Sequence, residues 1–222
     1  MTARPHVVVI DPAVRNAETE CFNRMALASP LPLTYHLPCL HGMQSLQAED
    51  MAAARGIILL GSAASVNERL PWQVALETWL RPHLEAGVPT FGFCYGHQML
   101  AFMMGGRIDY MTPERTKLKG MRRVKLKATR AWPAGEGALV VSHNEAVMEA
   151  PRDMEIVATS DAVAIDGLAH RSLPIWSLQP HPEATPEFLV SHQVPAPTPL
   201  GAALSYGYSL VDSFLAYAAQ AR

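Results

Sequence analysis

Apolar positions fall in short unbroken runs set between stretches of helical period. Residues 6–10 read HVVVI, 56–60 read GIILL and 88–93 read VPTFGF. A strand apolar at successive positions is buried on both faces, as strands of a parallel sheet are. A further strand is predicted at 33–37. Helices are predicted at 17–28, at 71–86, which opens on Pro71 and stops at Gly87, and at 95–104, which stops at Gly105 and Gly106. Strands alternating with helices predict an α/β fold: a doubly wound, mostly parallel sheet covered on both faces, hence three layers. The pattern then changes. Short strands are predicted at 121–128, 138–142, 155–159, 162–166 and 175–178, with turn signals between them, as an antiparallel extension of the sheet. Prolines 182, 186, 195, 197 and 199 make 182–199 mostly loop, with room for one helical turn at 186–190. An amphipathic helix at 200–221 closes the chain.

The strand at 88–93 runs directly into Cys94 and then into a helix, and Gly92 and Gly96 flank the cysteine two residues away on each side. G-x-nucleophile-x-G is the spacing of a nucleophile elbow, here with cysteine in the nucleophile's place. A turn this tight would drive side chains at the flanking positions into each other, and glycine removes them. The following helix aims free N–H groups and its positive dipole end at the sulfur, which favours thiolate. A buried structural cysteine is the competing reading, and a base with an orienting acid elsewhere in the chain would decide between them.

Composition narrows the function classes. With 222 residues, 49% hydrophobic and 17% charged, the chain fits one domain over residues 1–222. A net charge of −2 and a pI near 6.5 argue against a general nucleic-acid binder. No leader and no membrane-length apolar run is read at this stage, so no membrane partner is expected. Cys21, Cys39 and Cys94 show no paired-ligand spacing. No disulfide framework, metal or cofactor is expected, and a reducing cytoplasm fits best. Eight basic residues lie between Arg115 and Arg130, either as a solvated strand face or as a docking or anion-binding surface.

The base and acid stand in QPHPE, residues 179–183. Pro180 and Pro182 forbid a helix, and in an extended chain His181 and Glu183 point the same way. The carboxylate can hold one imidazole nitrogen while the other faces a thiol, which makes Cys94, His181 and Glu183 available as nucleophile, base and orienter.

GFCYGHQ (92–98) together with HPE (181–183) resembles the class I, or triad, glutamine amidotransferases, whose fold is flavodoxin-like. GIILLGSAASV (56–66) looks like that family's oxyanion strand and loop, and SHNEAV (142–147) looks like its serine-histidine-glycine-aspartate segment. Within the family the chain most resembles the amidotransferase domain of GMP synthase, over roughly residues 50–185. The resemblance implies a glutaminase: attack by Cys94 on the glutamine side-chain amide, a γ-glutamyl thioester, and release of ammonia and glutamate. It implies an oxyanion hole at Gly61, Ser62 and Tyr95, and substrate binding by Gln98 and by His143, Asn144 and Glu145.

The chain departs from the family pattern in places. Gly61, Ser62 and Ala63 stand where two glycines and a proline are usual, and Asn144 and Glu145 where glycine and aspartate are usual. No G-x-x-x-x-G-K phosphate loop or synthase ATP loop is present in the sequence. Three readings stay open. One is a glutaminase, free-standing or with a synthase subunit as its separate partner. The second is a hydrolase of γ-glutamyl peptides or amides. The third is a non-catalytic regulatory protein that keeps the fold.

Overall fold

The computed structural model describes residues 4–196 and 200–221. Its centre is a nine-stranded mixed sheet with strand order β2-β1-β3-β4-β11-β10-β9-β6-β7. Here β1 is His6–Ile10, β2 Leu33–His36, β3 Ala54–Leu59 and β4 Thr90–Phe93. Further along, β6 is Leu118–Leu126, β7 Gly135–His143, β9 Met154–Thr159, β10 Gly167–His170 and β11 Ile175–Leu178. From β2 to β11 neighbouring strands are parallel, and from β11 outward to β7 they are antiparallel. The mostly parallel half and the antiparallel extension both match the sequence pattern.

Alternation along the parallel strands builds a core on each face. Val7, Val9, Ile58, Phe91 and Phe93 meet Met25 of α1 (Thr19–Ala28) and Leu210, Val211, Phe214 and Leu215 of α7 (Leu200–Gln220). Val8, Ile10, Ile57 and Leu59 face the other way, onto Leu76, Leu80 and Leu84 of α4 (Pro71–Glu85) and Met99 and Leu100 of α5 (Tyr95–Met103). These are the three layers the apolar runs implied. A likeness in shape to solved structures, given below, agrees with this class of fold.

The extension differs from expectation in one place. Residues 162–166 are not a strand; the strand is β10, which begins at Gly167. Val163 and Ile165 are buried between exposed Ala162 and Ala164, which imitates a strand pattern. The segment is a turn, however: Ser160 N–H donates to the Val163 carbonyl at 3.0 Å, and Val163 N–H donates to Ser160 Oγ at 3.1 Å. Besides a 3₁₀ turn at Val66–Glu68, four elements carried no clear period and went unpredicted. They are the short helices α2 (Pro38–His41) and α3 (Gln44–Gln47), and the strands β5 (Arg107–Tyr110) and β8 (Glu145–Glu149), which pair with each other outside the main sheet. Within the proline-rich stretch α6 (Pro186–Ser191) replaces the single turn expected, with Thr185 Oγ1 accepting from Phe188 N–H at its start. Prolines 197 and 199 of that stretch lie outside the described residues. No helix among the described residues is long and apolar enough to cross a membrane.

Candidate active site

Cys94 sits where β4 ends and α5 begins, beyond the carboxyl ends of the parallel strands, where open α/β sheets place their ligands. Its backbone is at φ 49° and ψ −101°, a region that L side chains rarely occupy. Two neighbours hold it there. Cys94 N–H donates to the Leu178 carbonyl of β11 at 2.9 Å, and Gly96 N–H donates to the Leu60 carbonyl at 3.2 Å. The flanking glycines are required by close approach. A Cβ on Gly96 would run into the Leu59 carbonyl oxygen, and one on Gly92 would lie 2.7 Å from the Gly96 carbonyl oxygen. The sulfur-bearing residue is 5% exposed and opens into a cavity of about 310 Å³.

His181 enters that cavity from the end of β11. Its N–H donates to the Val140 carbonyl of β7 at 2.8 Å, so parallel and antiparallel halves of the sheet jointly fix it. Its Nδ1 lies 2.9 Å from Glu183 Oε1, and the two residues are 5% and 2% exposed. Burial disfavours an imidazolium there. Charge on the Cys94 sulfur and on the Glu183 carboxylate, with hydrogen bonds to both, outweighs burial and pushes the pKa up to about 10. Gly61 lies against the pair: a Cβ there would be 2.7 Å from His181 Cε1 and 3.6 Å from Cys94 Cβ. Ser62 is pinned through its hydroxyl, which donates to the Pro12 carbonyl at 2.7 Å. The geometry therefore gathers Cys94, His181, Glu183, Gly61 and Ser62 at one cavity, with the Tyr95 peptide at the start of α5 beside them. Such a set can deliver a thiolate to a carbonyl carbon and a proton to a leaving group.

Of the other four residues singled out in the sequence, Gln98, His143 and Glu145 form a buried belt behind this wall and Asn144 is half-buried beside them; none of the four side chains lines the cavity. Gln98 Nε2 donates to the Glu145 carbonyl at 2.9 Å and to Gln179 Oε1 at 3.1 Å. His143 lies between Arg122, 3.0 Å from Nε2, and the Glu145 carbonyl, 2.9 Å from Nδ1. Nδ1 must then donate and Nε2 accept, so the ring is neutral. Burial, with the Arg122 charge adding to it, lowers its pKa to about 3. Burial does the same to His97, again to about 3, where Nδ1 lies 2.8 Å from Ser177 Oγ. Arg122 is paired with Asp166 in the same belt. The Glu145 carboxylate turns away to accept from Ser65 Oγ at 2.8 Å, and Asn144 Nδ2 donates to the Arg115 carbonyl at 3.3 Å.

Much of the cavity wall comes from residues no motif marks: the loop 13–18, Lys117, Phe188, Ser191 and His192. Only the basic stretch at 115–130 and the prolines around α6 hinted at them. Asp11 shapes the loop, accepting from Ala13 N–H at 2.9 Å and Glu18 N–H at 2.7 Å.

The chain is similar to known proteins both in sequence and in shape. The chain is 38% identical over 104 residues to anthranilate synthase component 2 of Thermococcus kodakarensis, covering 46% of this chain and 53% of that protein. It is 30% identical over 141 residues to the glutamine-hydrolyzing GMP synthase of Burkholderia mallei, covering 60% of this chain and 25% of that one. The match thus spans about half the length of the first relative and a quarter of the second. In shape the chain is similar to a glutamine amidotransferase from Thermotoga maritima, with TM-score 0.75, 17% identity, and 99% of this chain and 100% of that chain covered. It is also similar to a glutamine amidotransferase from Methylobacillus flagellatus, with TM-score 0.74, 17% identity, and 98% and 95% coverage. The family model for class-I glutamine amidotransferases matches residues 37–189, more than half of the sequence, and the chain belongs to that family.

Proposed function

We propose that residues 1–222 form one amidotransferase-like domain that hydrolyses a γ-glutamyl amide, glutamine first among them, through a thioester on Cys94. Class-I glutamine amidotransferases hydrolyse glutamine. The single observation that carries the reading here is the left-handed Cys94 elbow facing the buried His181–Glu183 pair across the Gly61 backbone.

The steps follow from the positions of the groups. His181 takes the thiol proton, the sulfur bonds to the amide carbon, and the developing oxyanion turns toward the backbone N–H groups of Tyr95 and Ser62. His181 then returns the proton to the departing nitrogen, the C–N bond breaks, and ammonia leaves. Water next adds to the thioester, with His181 as base, and releases glutamate. Glu183 holds the imidazole throughout. The tightly held belt of Gln98, His143 and Glu145 sets the backbone at 143–145, where the substrate's α-amino and α-carboxylate groups are placed in this reading; Asn144 belongs to the same segment.

The ammonia acceptor would belong to a separate synthase. The relatives' names support such a partner, one being component 2 of a synthase. Glutamate and ammonia release from glutamine by the purified chain, compared with Cys94→Ala, tests the proposal. Release that persists in Cys94→Ala would refute it.

A further inference from the structure

The cavity that holds Cys94 and His181 extends past the imidazole along Phe188, Ser191 and His192. An amine expelled from a γ-glutamyl amide departs next to the imidazole that protonates it, so the walls around His181 set the size of that amine. The Phe188 ring lies 4.6 Å from the imidazole, and His192 stacks on Phe188 at 4.1 Å. Ser191 and the loop 13–18 continue the wall. The whole cavity, about 310 Å³, reaches the range of sites that hold entire small molecules, about 300–1,000 Å³.

Charge in the wall is unbalanced. Glu183 is engaged by His181, and Glu18 Oε1 lies 2.6 Å from His192 Nε2. Two cations remain, Arg15 and Lys117, and neither forms an ion pair among the described residues. Both are exposed at the cavity's rim, where a bound carboxylate can reach them; partial burial lowers the Lys117 pKa, and the Cys94 charge acts against that. Ser142 lines the same cavity, is 5% exposed, and its Oγ has no hydrogen-bond partner among the described residues. Glutamine's own carboxylate is placed at 143–145, which leaves these two cations without an anion. A γ-glutamyl amide of an amino acid brings a second carboxylate, on its leaving side.

Resting on the thioester chemistry above, we propose that the site accepts γ-glutamyl amino acids, with Arg15 and Lys117 as the specificity-determining residues for the carboxylate of the leaving amino acid. The chemistry is unchanged and balanced. The Cys94 sulfur bonds to the γ-carbon, the C–N bond breaks, and the His181 proton goes to the nitrogen, which departs as a free amino acid. Water then hydrolyses the thioester to glutamate and regenerates the thiol.

The test compares three substrates on the full chain: γ-glutamylglycine, γ-glutamylmethylamide and glutamine. The first two differ in the leaving-side carboxylate. The wild-type kcat/KM for γ-glutamylglycine should exceed that for the methylamide at least tenfold. Lys117→Met or Arg15→Gln should cut that ratio about tenfold, mainly through KM, and Lys117→Arg should retain most of it. Thermal melting confirms that each variant is folded. A ratio near one in the wild type, or a preference that survives both neutral variants, overturns the proposal. Trapping the acyl-enzyme by mass spectrometry separates the two levels. A thioester formed from glutamine without any γ-glutamylglycine preference removes only the subsite. No thioester from any of the three removes the Cys94 reading and the subsite with it.

Discussion

Replacing Glu183 by Gln tests the coupling between the buried pair and the proton that His181 carries. The wild-type imidazole is raised to about 10 against its burial, and the Glu183 carboxylate supplies one of the two charges that raise it. An opposite charge within about 4–6 Å moves a pKa by about 1–3 units, so the variant's His181 should titrate between about 7 and 9. The geometry adds a second cost. Gln keeps an acceptor for Nδ1 at the 2.9 Å position, but its amide NH₂ falls where Glu183 Oε2 sits buried and without a partner. An unsatisfied buried donor costs about 1–3 kcal/mol of stability. The sign follows from the direction of the shift. A histidine whose folded pKa is raised contributes stability that is fully present below about 6.5 and is lost as pH rises through about 10. In the variant that loss should come 1–3 units sooner. The same group gives the leaving nitrogen its proton, so the basic limb of the kcat/KM profile for amide hydrolysis should fall near pH 10 in the wild type and move down with the variant. At neutral pH, Glu183→Gln should cost less than His181→Ala, which removes the base and should lower turnover by about 10²–10⁴. Rates and melting temperatures between pH 6 and 10.5 read both effects. Coincident basic limbs in the two proteins, or a Glu183→Gln defect exceeding that of His181→Ala, would refute the assigned roles.

Three further outcomes are expected. Limited alkylation should modify Cys94 before Cys21 or Cys39, read by peptide mapping, because Cys94 opens into the cavity while burial raises the pKa of the other two thiols; faster modification of Cys21 would count against the elbow. Gly96→Ala should destabilise the fold by at least about 1–3 kcal/mol, since its methyl group meets the Leu59 carbonyl and backbone cannot give way as a side chain can; an unshifted denaturant midpoint would contradict this. Arg122→Met should cost about 3–5 kcal/mol by stranding Asp166 in the core, and adding Asp166→Leu should recover much of it; a double variant no better than the single would show that the pair does more than cancel charge.

Residues whose placement depends on their own neighbours were legible in the sequence. The parallel strands announce themselves because burial on both faces demands runs such as HVVVI. The Cys94 elbow does so because only glycine tolerates the contacts at 92 and 96, and the His181–Glu183 pair because two prolines enforce an extended step. Residues whose placement depends on distant partners were not legible. Val163 and Ile165 alternate like a strand, yet the Ser160 turn withholds a ladder partner, so the strand forms at 167–170 instead. Strands β5 and β8 are separated by more than thirty residues, so no local pattern announces their pairing. Gln98 and His143 carry the family's pattern and Glu145 departs from it, but which of their atoms face the protein and which a substrate depends on Arg122, Ser65 and Gln179, far along the chain.

The same division separates chemistry from specificity. The reaction needs a strained nucleophile, a base and an acid, and each is fixed by a local constraint. In the proposed reading the choice of substrate rests on a wall assembled from the 13–18 loop, Lys117 and α6, three segments with no sequence rule connecting them. Even its closure is long-range: His192 lies 2.6 Å from Glu18 through one ring nitrogen, while its carbonyl accepts from Lys119 Nζ at 2.9 Å, tying three elements together. A change at any of these tethers can reshape the space beside His181 without touching the elbow. Members of this family can therefore keep the motifs at 92–98 and 181–183 and still differ in the amine they release, and the residues to exchange when altering that preference are those of the wall.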